Sequence, residues 1–368
     1  MRVVVATGYY PPERMGGAEY QTLIMAQGLV ELGHDVTFLA TDTDNAGEVT
    51  AGGMTVRKIL GSRAVGWATH RELVERAIQG ATPDVCYVRR FRELGAAVPF
   101  CNDAGIPVIS MSCHVMETSP FFRSRYPEEA MAHLRSFLSI RSADVHVCNT
   151  KFLQKKTQRW FPRKSIRAIY NGQPVPMLAS VHAEPSGQVI WVNNLKDWKR
   201  PDLLVELARR LPQFRFVMVG RMAGGRYGEK MRQMLQQASA NLEYLGPKPI
   251  EEVNALISQS DLLLYTSLAV EGFANSFLQA WFRGVPTLSL FFDIDGIIER
   301  EGIGRYSRTF EQLVADVQEL MEDGVARREM GQRARQYAVS HHSAKKMVAD
   351  YETLFEEIAG RAVRTGAK

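Results

Sequence analysis

Short β-branched apolar runs alternate with stripes of helical period along most of the chain. Arg2–Thr7 (RVVVAT) reads as a strand, after which Tyr20, Leu23, Ala26 and Val30 recur at helical spacing until Gly33 ends the helix. Val36–Ala40 is the next strand, and Val85–Val88, Val108–Ser110 and Val145–Cys148 continue the series. This order predicts a parallel sheet covered by helices. The segment Gln173–Gly187 (QPVPMLASVHAEPSG) breaks the pattern and reads as a linker. The pattern then restarts: Val189–Val192 is a strand, Pro201 opens a helix with an apolar stripe of Leu204, Leu207, Ala208 and Leu211, and the strands Phe214–Val219, Leu242–Leu245, Asp261–Tyr265 and Val285–Leu290 follow. From Ser343 to about Val363, Met347, Tyr351, Leu354 and Ile358 share one side of an amphipathic helix, which should pack rather than dangle.

The 368 residues suit two α/β domains at about 100–200 residues each. A hydrophobic fraction of 45% and a charged fraction of 23% exclude disordered and coiled-coil classes. Cys86, Cys101, Cys113 and Cys148 form no C-x-x-C pair, so they read as free thiols in a reducing compartment, with no zinc site. The start MRVVVATGYYPP lacks a signal-peptide apolar core, and no run approaches the ~18–20 apolar residues of a membrane span. The expectation is a cytoplasmic protein.

The formal net charge of +5 falls in residues 1–180 and concentrates between Lys151 and Arg167. There Lys151, Lys155, Lys156, Arg159, Arg163, Lys164 and Arg167 meet no acidic residue. The stretch is either a solvated helix face or a contact for an anionic partner such as lipid phosphate or the inner face of a membrane. Nucleic acid is disfavoured, because no nucleic-acid module accompanies the charge.

Four places could carry chemistry. Gly16 and Gly17 open the first helix, where bare backbone and unpaired N–H groups favour a close-lying anion, although an ordinary loop reads the same. The spacing is not G-x-G-x-x-G, which removes the main support for a nicotinamide dehydrogenase. A second helix start follows Asp261–Tyr265, with Ser267, Glu271, Gly272 and Phe273 before it and Gln279 inside it. Glu271 repels phosphate and suits neutral hydroxyls, pointing to a ligand with phosphate and polyol parts; it could equally complement the helix dipole. Asn194 and Lys199, in VNNLKDWKRPD, place a cation able to neutralise a diphosphate, or an ordinary surface charge. His114 follows a strand at its carboxyl end, where α/β ligand crevices lie, but a structural histidine is the simpler reading. H-E-x-x-H, G-x-S-x-G and Walker patterns do not occur.

Together these pieces resemble a family 4 glycosyltransferase of GT-B fold. The resemblance rests on YYPPERMGGAEYQ…LGHDVTFLAT, PVISMSCH, ADVHVCNTKF…IRAIYNG, WVNNLKDWKRPDLLVELA, VMVGR, YLG and SLAVEGFANSFLQAWFRGVPTLS, which cover nearly the whole chain in order. It implies two Rossmann-like α/β domains facing a cleft, an acceptor-side domain over 1–175, a nucleotide-sugar domain over 176–342, and a final helix, 343–368, crossing back to the first domain. By the same resemblance, Gly16 and Gly17 would approach the diphosphate or sugar and His114 the transferred sugar. Lys199 would bind the diphosphate, Glu271 would hold sugar hydroxyls, and Gln279 would face the ribose. Backbone groups of Gly272, Phe273, Ala274 and Asn275 would meet sugar or phosphate. Gln279 stands where the family usually has a second glutamate, and Asn194 where it usually has arginine, so Lys199, Lys196 or Arg221 would have to supply the missing cation. The implied activity is metal-independent, retaining hexosyl transfer, needing no cofactor, from a UDP-, GDP- or ADP-sugar to a hydroxyl acceptor. A lipid-linked acceptor, in surface polysaccharide or glycolipid assembly, is one expectation. The alternatives are a non-catalytic nucleotide-sugar-binding subunit and a GT-B epimerase.

Overall fold

The computed structural model describes residues 1–11, 16–89, 91–121, 127–177, 186–268 and 272–365. The chain forms two compact units, Met1–Gly172 with Ala344–Lys368, and Gln173–Ser343. The first unit holds β1 (Arg2–Thr7), β2 (Asp35–Thr43), β3 (Gly47–Ala51), β4 (Met54–Leu60), β5 (Val85–Arg89), β6 (Val108–Ser112), β7 (Val145–Cys148) and β8 (Ile166–Ala168). Their order across the sheet is β3-β4-β2-β1-β5-β6-β7-β8. Every neighbouring pair is parallel except the β3–β4 hairpin. That hairpin was not anticipated from the apolar pattern. Its signal is Gly52–Gly53, both at positive φ (+58° and +74°), the two-residue turn that matches strand twist.

Strand alternation decides what each face buries. Val3 and Val5 pack with Ile24, Met25 and Leu29 of the helix Gly17–Glu31, whereas Val4 and Ala6 pack with Val74 and Ile78 on the opposite face. The C-terminal helix, Ala344–Thr365, belongs to the first of these layers: Met347, Tyr351, Leu354, Phe355 and Ile358 are all buried there. Burial of such side chains stabilises by about 1.5–3 kcal/mol each. The helix lies so close that a Cβ on Gly28 would come within 2.4 Å of a Val348 methyl. Tyr351 also meets Tyr87 edge to face, with ring centroids 5.6 Å apart.

The second unit holds β9 (Gln188–Val192), β10 (Arg215–Val219), β11 (Leu242–Tyr244), β12 (Leu262–Tyr265), β13 (Thr287–Ser289) and β14 (Gly304–Tyr306), all parallel, in the order β11-β10-β9-β12-β13-β14. Asp261 anchors its centre. Fully buried, it accepts from the Ser186 and Gly187 amides at 3.0 and 2.7 Å and pairs with buried Arg327 at 3.3 Å. In each sheet the strand order reverses at one central pair, between β1 and β5 in the first unit and between β9 and β12 in the second. At such switch points the loops beyond the strands' carboxyl ends diverge and leave a crevice.

The linker reading of Gln173–Gly187 needs correction at its first residue. Gln173 is buried, its amide donates to the His342 carbonyl at 3.0 Å, and its Nε2 donates to the Asn275 carbonyl at 3.2 Å. It also forms a parallel bridge with Ser343, so the points where the chain leaves and re-enters the first unit lie side by side. Residues 178–185 of the segment lie outside the described residues.

Buried His146 of β7 hydrogen-bonds through Nδ1 to the Ser110 hydroxyl at 2.7 Å. Burial, helped by nearby Lys164, pushes its pKa down from 6.5 to about 3. The fold therefore keeps this ring neutral while the unfolded chain protonates it, so its contribution is complete above pH 6.5 and fades as pH falls toward 3. We expect His146→Gln, which retains a partner for Ser110, to flatten the stability–pH profile between those limits. Urea unfolding at pH 7 and pH 5 checks this, and an unchanged difference between the two would refute it.

Candidate functional site

In the second unit the switch point is framed by the loops after β9 and β12. The first runs through Asn193 and Asn194 into a 3₁₀ turn, Asp197–Lys199, then Arg200 in the left-handed region (φ 52°) and Pro201 at the first position of the next helix. Three bonds stitch it to the β12 loop. The Thr266 hydroxyl donates to the Lys199 carbonyl at 2.7 Å, with the Arg200 carbonyl at 3.1 Å. The same oxygen accepts from the Trp191 indole N–H at 2.9 Å. The Leu268 amide donates to the Trp198 carbonyl at 2.9 Å. Lys199 is thereby held at the switch point, only 7% exposed, its ammonium 5.7 Å from the Tyr265 ring centroid.

The remaining residues singled out in this unit divide into two groups. Asn194 and Arg221 come together: Asn194 Oδ1 accepts from the Arg221 amide at 3.3 Å, and the Leu195 amide donates to the Arg221 carbonyl at 2.9 Å. Gly220 makes this possible, since a Cβ there would fall 1.7 Å from the Asn193 carbonyl oxygen. The Arg221 residue itself is exposed. Gln279, in the helix Asn275–Trp281, is instead held by Asn254, to whose Oδ1 its Nε2 donates at 3.0 Å. Gly272 and Phe273 are buried and Ala274 is the N-cap of that helix. The Phe273 ring packs against Phe277, Trp281 and His342, so only its backbone is left for a ligand. Glu271 lies outside the described residues. Two buried polar atoms at these strand ends have no hydrogen-bond partner among the described residues: Ser267 Oγ, on a residue already named from the sequence, and Asn193 Nδ2, which sequence reasoning missed.

In the first unit, Gly16 is the N-cap of the helix Gly17–Glu31, with φ of −123°, a conformation open to any residue. Among the described residues, a Cβ there would meet only the tip of the Glu19 side chain, at 2.5 Å, which can swing away. The fold itself does not require glycine at this position. His114 caps a 3₁₀ turn, Val115–Thr118: its Nδ1 accepts from the Met116 amide at 3.1 Å, while Glu117 Oε2 accepts from the Cys113 and His114 amides at 2.7 and 3.1 Å. That acceptor role fixes the neutral tautomer with its proton on Nε2.

A residue absent from the sequence reading joins these two places. Arg89, at the carboxyl end of β5 and 5% exposed, donates to the Ala18 carbonyl at 2.6 Å and to the Thr22 hydroxyl at 3.2 Å, and it also hydrogen-bonds the Cys113 side chain. Burial, reinforced by the Glu117 charge, pushes the Cys113 thiol up to about 12. The sulfur beside His114 is therefore a protonated packing group and no nucleophile at neutral pH. The only signal for Arg89 was a basic residue ending an apolar strand.

Among the described residues, no group of three or more His, Cys, Asp or Glu is placed to hold a metal ion, and no helix is long and apolar enough to cross a membrane. Thr266→Val would leave the Trp191 N–H and the Lys199 carbonyl buried without their partner, costing about 1–3 kcal/mol. We expect that loss in urea unfolding and its partial recovery in Thr266→Ser. A valine variant as stable as the parent would show that the hydroxyl does not secure the loop.

The family model for Glycosyltransferase Family 4 matches residues 15–174, and that for Glycosyl transferases group 1 matches residues 179–337. An uncharacterized glycosyltransferase of Methanocaldococcus jannaschii is 22% identical over 218 residues, 53% of either chain, so the match spans about half the length of that curated relative. Among solved structures, sucrose-phosphate synthase from Thermosynechococcus elongatus superposes with a TM-score of 0.83 at 12% identity, covering 98% of this chain and 99% of its own. Anabaena HepE in complex with UDP-glucose gives 0.76 at 16% identity, covering 96% and 98%. Two parallel-sheet units, a C-terminal helix in the first of them, and two family models that follow one another along the sequence together place the chain in the family 4 glycosyltransferases of GT-B fold.

Proposed function

We propose that the protein is a retaining, metal-independent hexosyltransferase that moves a sugar from a nucleoside-diphosphate sugar to an acceptor hydroxyl. Lys199 carries the proposal: a lysine only 7% exposed at the switch point of the second unit, on a loop whose backbone is fixed by three hydrogen bonds. The acceptor oxygen bonds to the anomeric carbon as the bond from that carbon to the β-phosphate oxygen breaks, and the hydroxyl proton passes to the departing phosphate. Negative charge grows on the diphosphate as this happens. Lys199, together with the backbone amides of Phe273 to Asn275, meets that charge without first having to reorganise.

In this reading His114 donates from Nε2 to the transferred sugar and positions it, because its Nδ1 is occupied by the Met116 amide and cannot serve as a base. Glu271 holds sugar hydroxyls, Gln279 faces the ribose, and Asn194 holds the backbone of Arg221, which with Lys199 supplies the cationic side. Asn193 Nδ2 and Ser267 Oγ offer further unspent polar groups. Anabaena HepE binds UDP-glucose according to its description, which makes a UDP-sugar the first donor to try, ahead of GDP- and ADP-sugars.

For the acceptor we favour a lipid-linked hydroxyl in surface polysaccharide or glycolipid assembly. The support is a surface of the first unit on which Phe121, Met131, Leu134, Leu138 and Trp160 are exposed, with Lys155 and Arg159 exposed on the helix Lys151–Trp160 that carries the tryptophan. Exposed aromatic and apolar groups among lysines and arginines suit the inner face of an anionic membrane.

A thermal-shift series with UDP-, GDP- and ADP-sugars should find one donor that raises the melting temperature. Incubation of that donor alone, then with acceptors, separates transfer from epimerisation and from mere binding. Lys199→Met should lose about 10²–10³-fold in kcat with its melting temperature intact; full activity in that variant would reject the assignment. Gly16→Ala should likewise melt at the parent's temperature yet bind the donor more weakly. Unchanged donor affinity in Gly16→Ala would place the ligand away from that backbone.

A further inference from the structure

The seven basic residues of Lys151–Arg167 do not act as one patch. Arg167 is paired with Glu357 at 3.3 Å, and Lys164 is half-buried, with burial pulling its pKa below the usual lysine range. Lys156 and Arg159, by contrast, line an open cavity of about 450 Å³ together with Val115, Thr118, Ser119 and Trp160. Neither cation has a carboxylate within ion-pair distance among the described residues. The Lys156 ammonium lies 4.8 Å from the Phe152 ring centroid, and Trp160 stands edge-on to Phe121 at 5.6 Å.

The polar groups at the cavity are sorted by what they still have to give. The Thr118 hydroxyl already donates to the Val115 carbonyl at 3.1 Å. Ser119 Oγ accepts from the Phe121 amide at 3.2 Å, which leaves its own proton available. Glu117, the acid of the neighbouring turn, accepts from Cys113 and His114, as described above. The wall thus offers two cations, one hydroxyl donor and an indole, a set that matches a phosphate ester with an organic part lying against the ring. Val115 and Thr118 belong to the very turn that His114 caps, so a ligand here is tied to the orientation of that histidine.

We propose that this cavity binds a phosphate ester carried by the acceptor, gripped by Lys156, Arg159 and Ser119 and covered by Trp160. The proposal rests on the acceptor-side reading of the first unit. The phosphate could be that of a soluble phosphomonoester or of a lipid headgroup, and the two sources share this chemistry.

Titration of the full chain with glycerol 3-phosphate, following the Trp160 indole N–H by NMR against a chloride control of equal ionic strength, should give a saturable shift. A parallel arm uses vesicles of phosphatidylglycerol and phosphatidylcholine in equal parts, with pure phosphatidylcholine as control, followed by co-sedimentation. Lys156→Gln/Arg159→Gln should weaken binding at least about tenfold in the arm that binds, as loss of two charge-assisted contacts requires. Lys151→Gln/Arg163→Gln, of equal charge change outside the cavity, should keep it within about threefold. Response in the first arm assigns a soluble phosphate, and response in the vesicle arm alone assigns a headgroup. No response in either arm, or equal losses in the two double variants, overturns the proposal. Donor-induced thermal shift in the Lys156→Gln/Arg159→Gln variant should equal the parent's, so failure here is distinguishable from failure of the transferase reading.

Discussion

A single hydroxyl organises the second unit's switch point. Thr266, just beyond β12, accepts from the Trp191 indole N–H of β9 and donates its O–H to the carbonyls of Lys199 and Arg200. A parallel sheet fixes where strands end but not where the following loops go; this contact does the latter. It also sustains a local cost. Arg200 sits in the left-handed region, unfavourable for a side chain by roughly 1–2 kcal/mol. Its guanidinium grips Asp202 at 2.8 Å, and Pro201 supplies the φ that the next helix needs, so the turn is held from both sides. The outcome is a lysine whose position is decided before any ligand arrives.

The first unit reaches the same end by different means. Its glycine-led helix start and its His114 turn come from segments far apart in sequence, and a buried arginine joins them: Arg89 reaches Ala18 and Thr22 on one helix and Cys113 beside the histidine. A guanidinium suits the task because its several donors lie in a fixed plane and its charge persists when buried. Its charge draws the Cys113 thiol downward, but burial outweighs that pull and the sulfur stays protonated. The C-terminal helix completes this unit by covering the sheet face that Val3 and Val5 present.

Most of this architecture was legible in the sequence because it follows from apolar periodicity. The strand cores, the helix ending at Gly33 and the apolar side of the last helix each require only that like residues recur at the right interval. What escaped was short or non-local. β8 and β14 are three residues each, too brief to show a period, and the β3–β4 hairpin has an exposed β3 with no apolar face to read. Asn194 and His114, named from the family motifs, follow β9 and β6 closely, yet the partners of such residues were not legible. Nothing in the order of residues says that Asn194 holds the Arg221 amide, that Gln279 leans on Asn254, or that Arg89 lies under Ala18, since each of these pairs is separated by 25 residues or more.

The two departures from the family pattern can now be weighed together rather than one by one. On the proposed reading, Asn194 in place of arginine removes one positive charge from the diphosphate side, and Gln279 in place of glutamate removes one negative charge from the ribose side. Taken singly, the first weakens attraction for a diphosphate and the second weakens a grip on hydroxyls. Taken as a pair, they leave the net charge facing the ligand unchanged. Both replacements are amides, and both are used structurally: one orients the backbone of a surviving arginine, the other braces its own helix against Asn254. An eroded site would show amides facing solvent without partners. Here each is built into the framework, and the backbone that carries Lys199 remains fixed to the β12 loop. A site whose neighbouring charges have been lowered together depends more heavily on the cation that stays, so under the proposed transfer the burden of stabilising a departing diphosphate falls on Lys199.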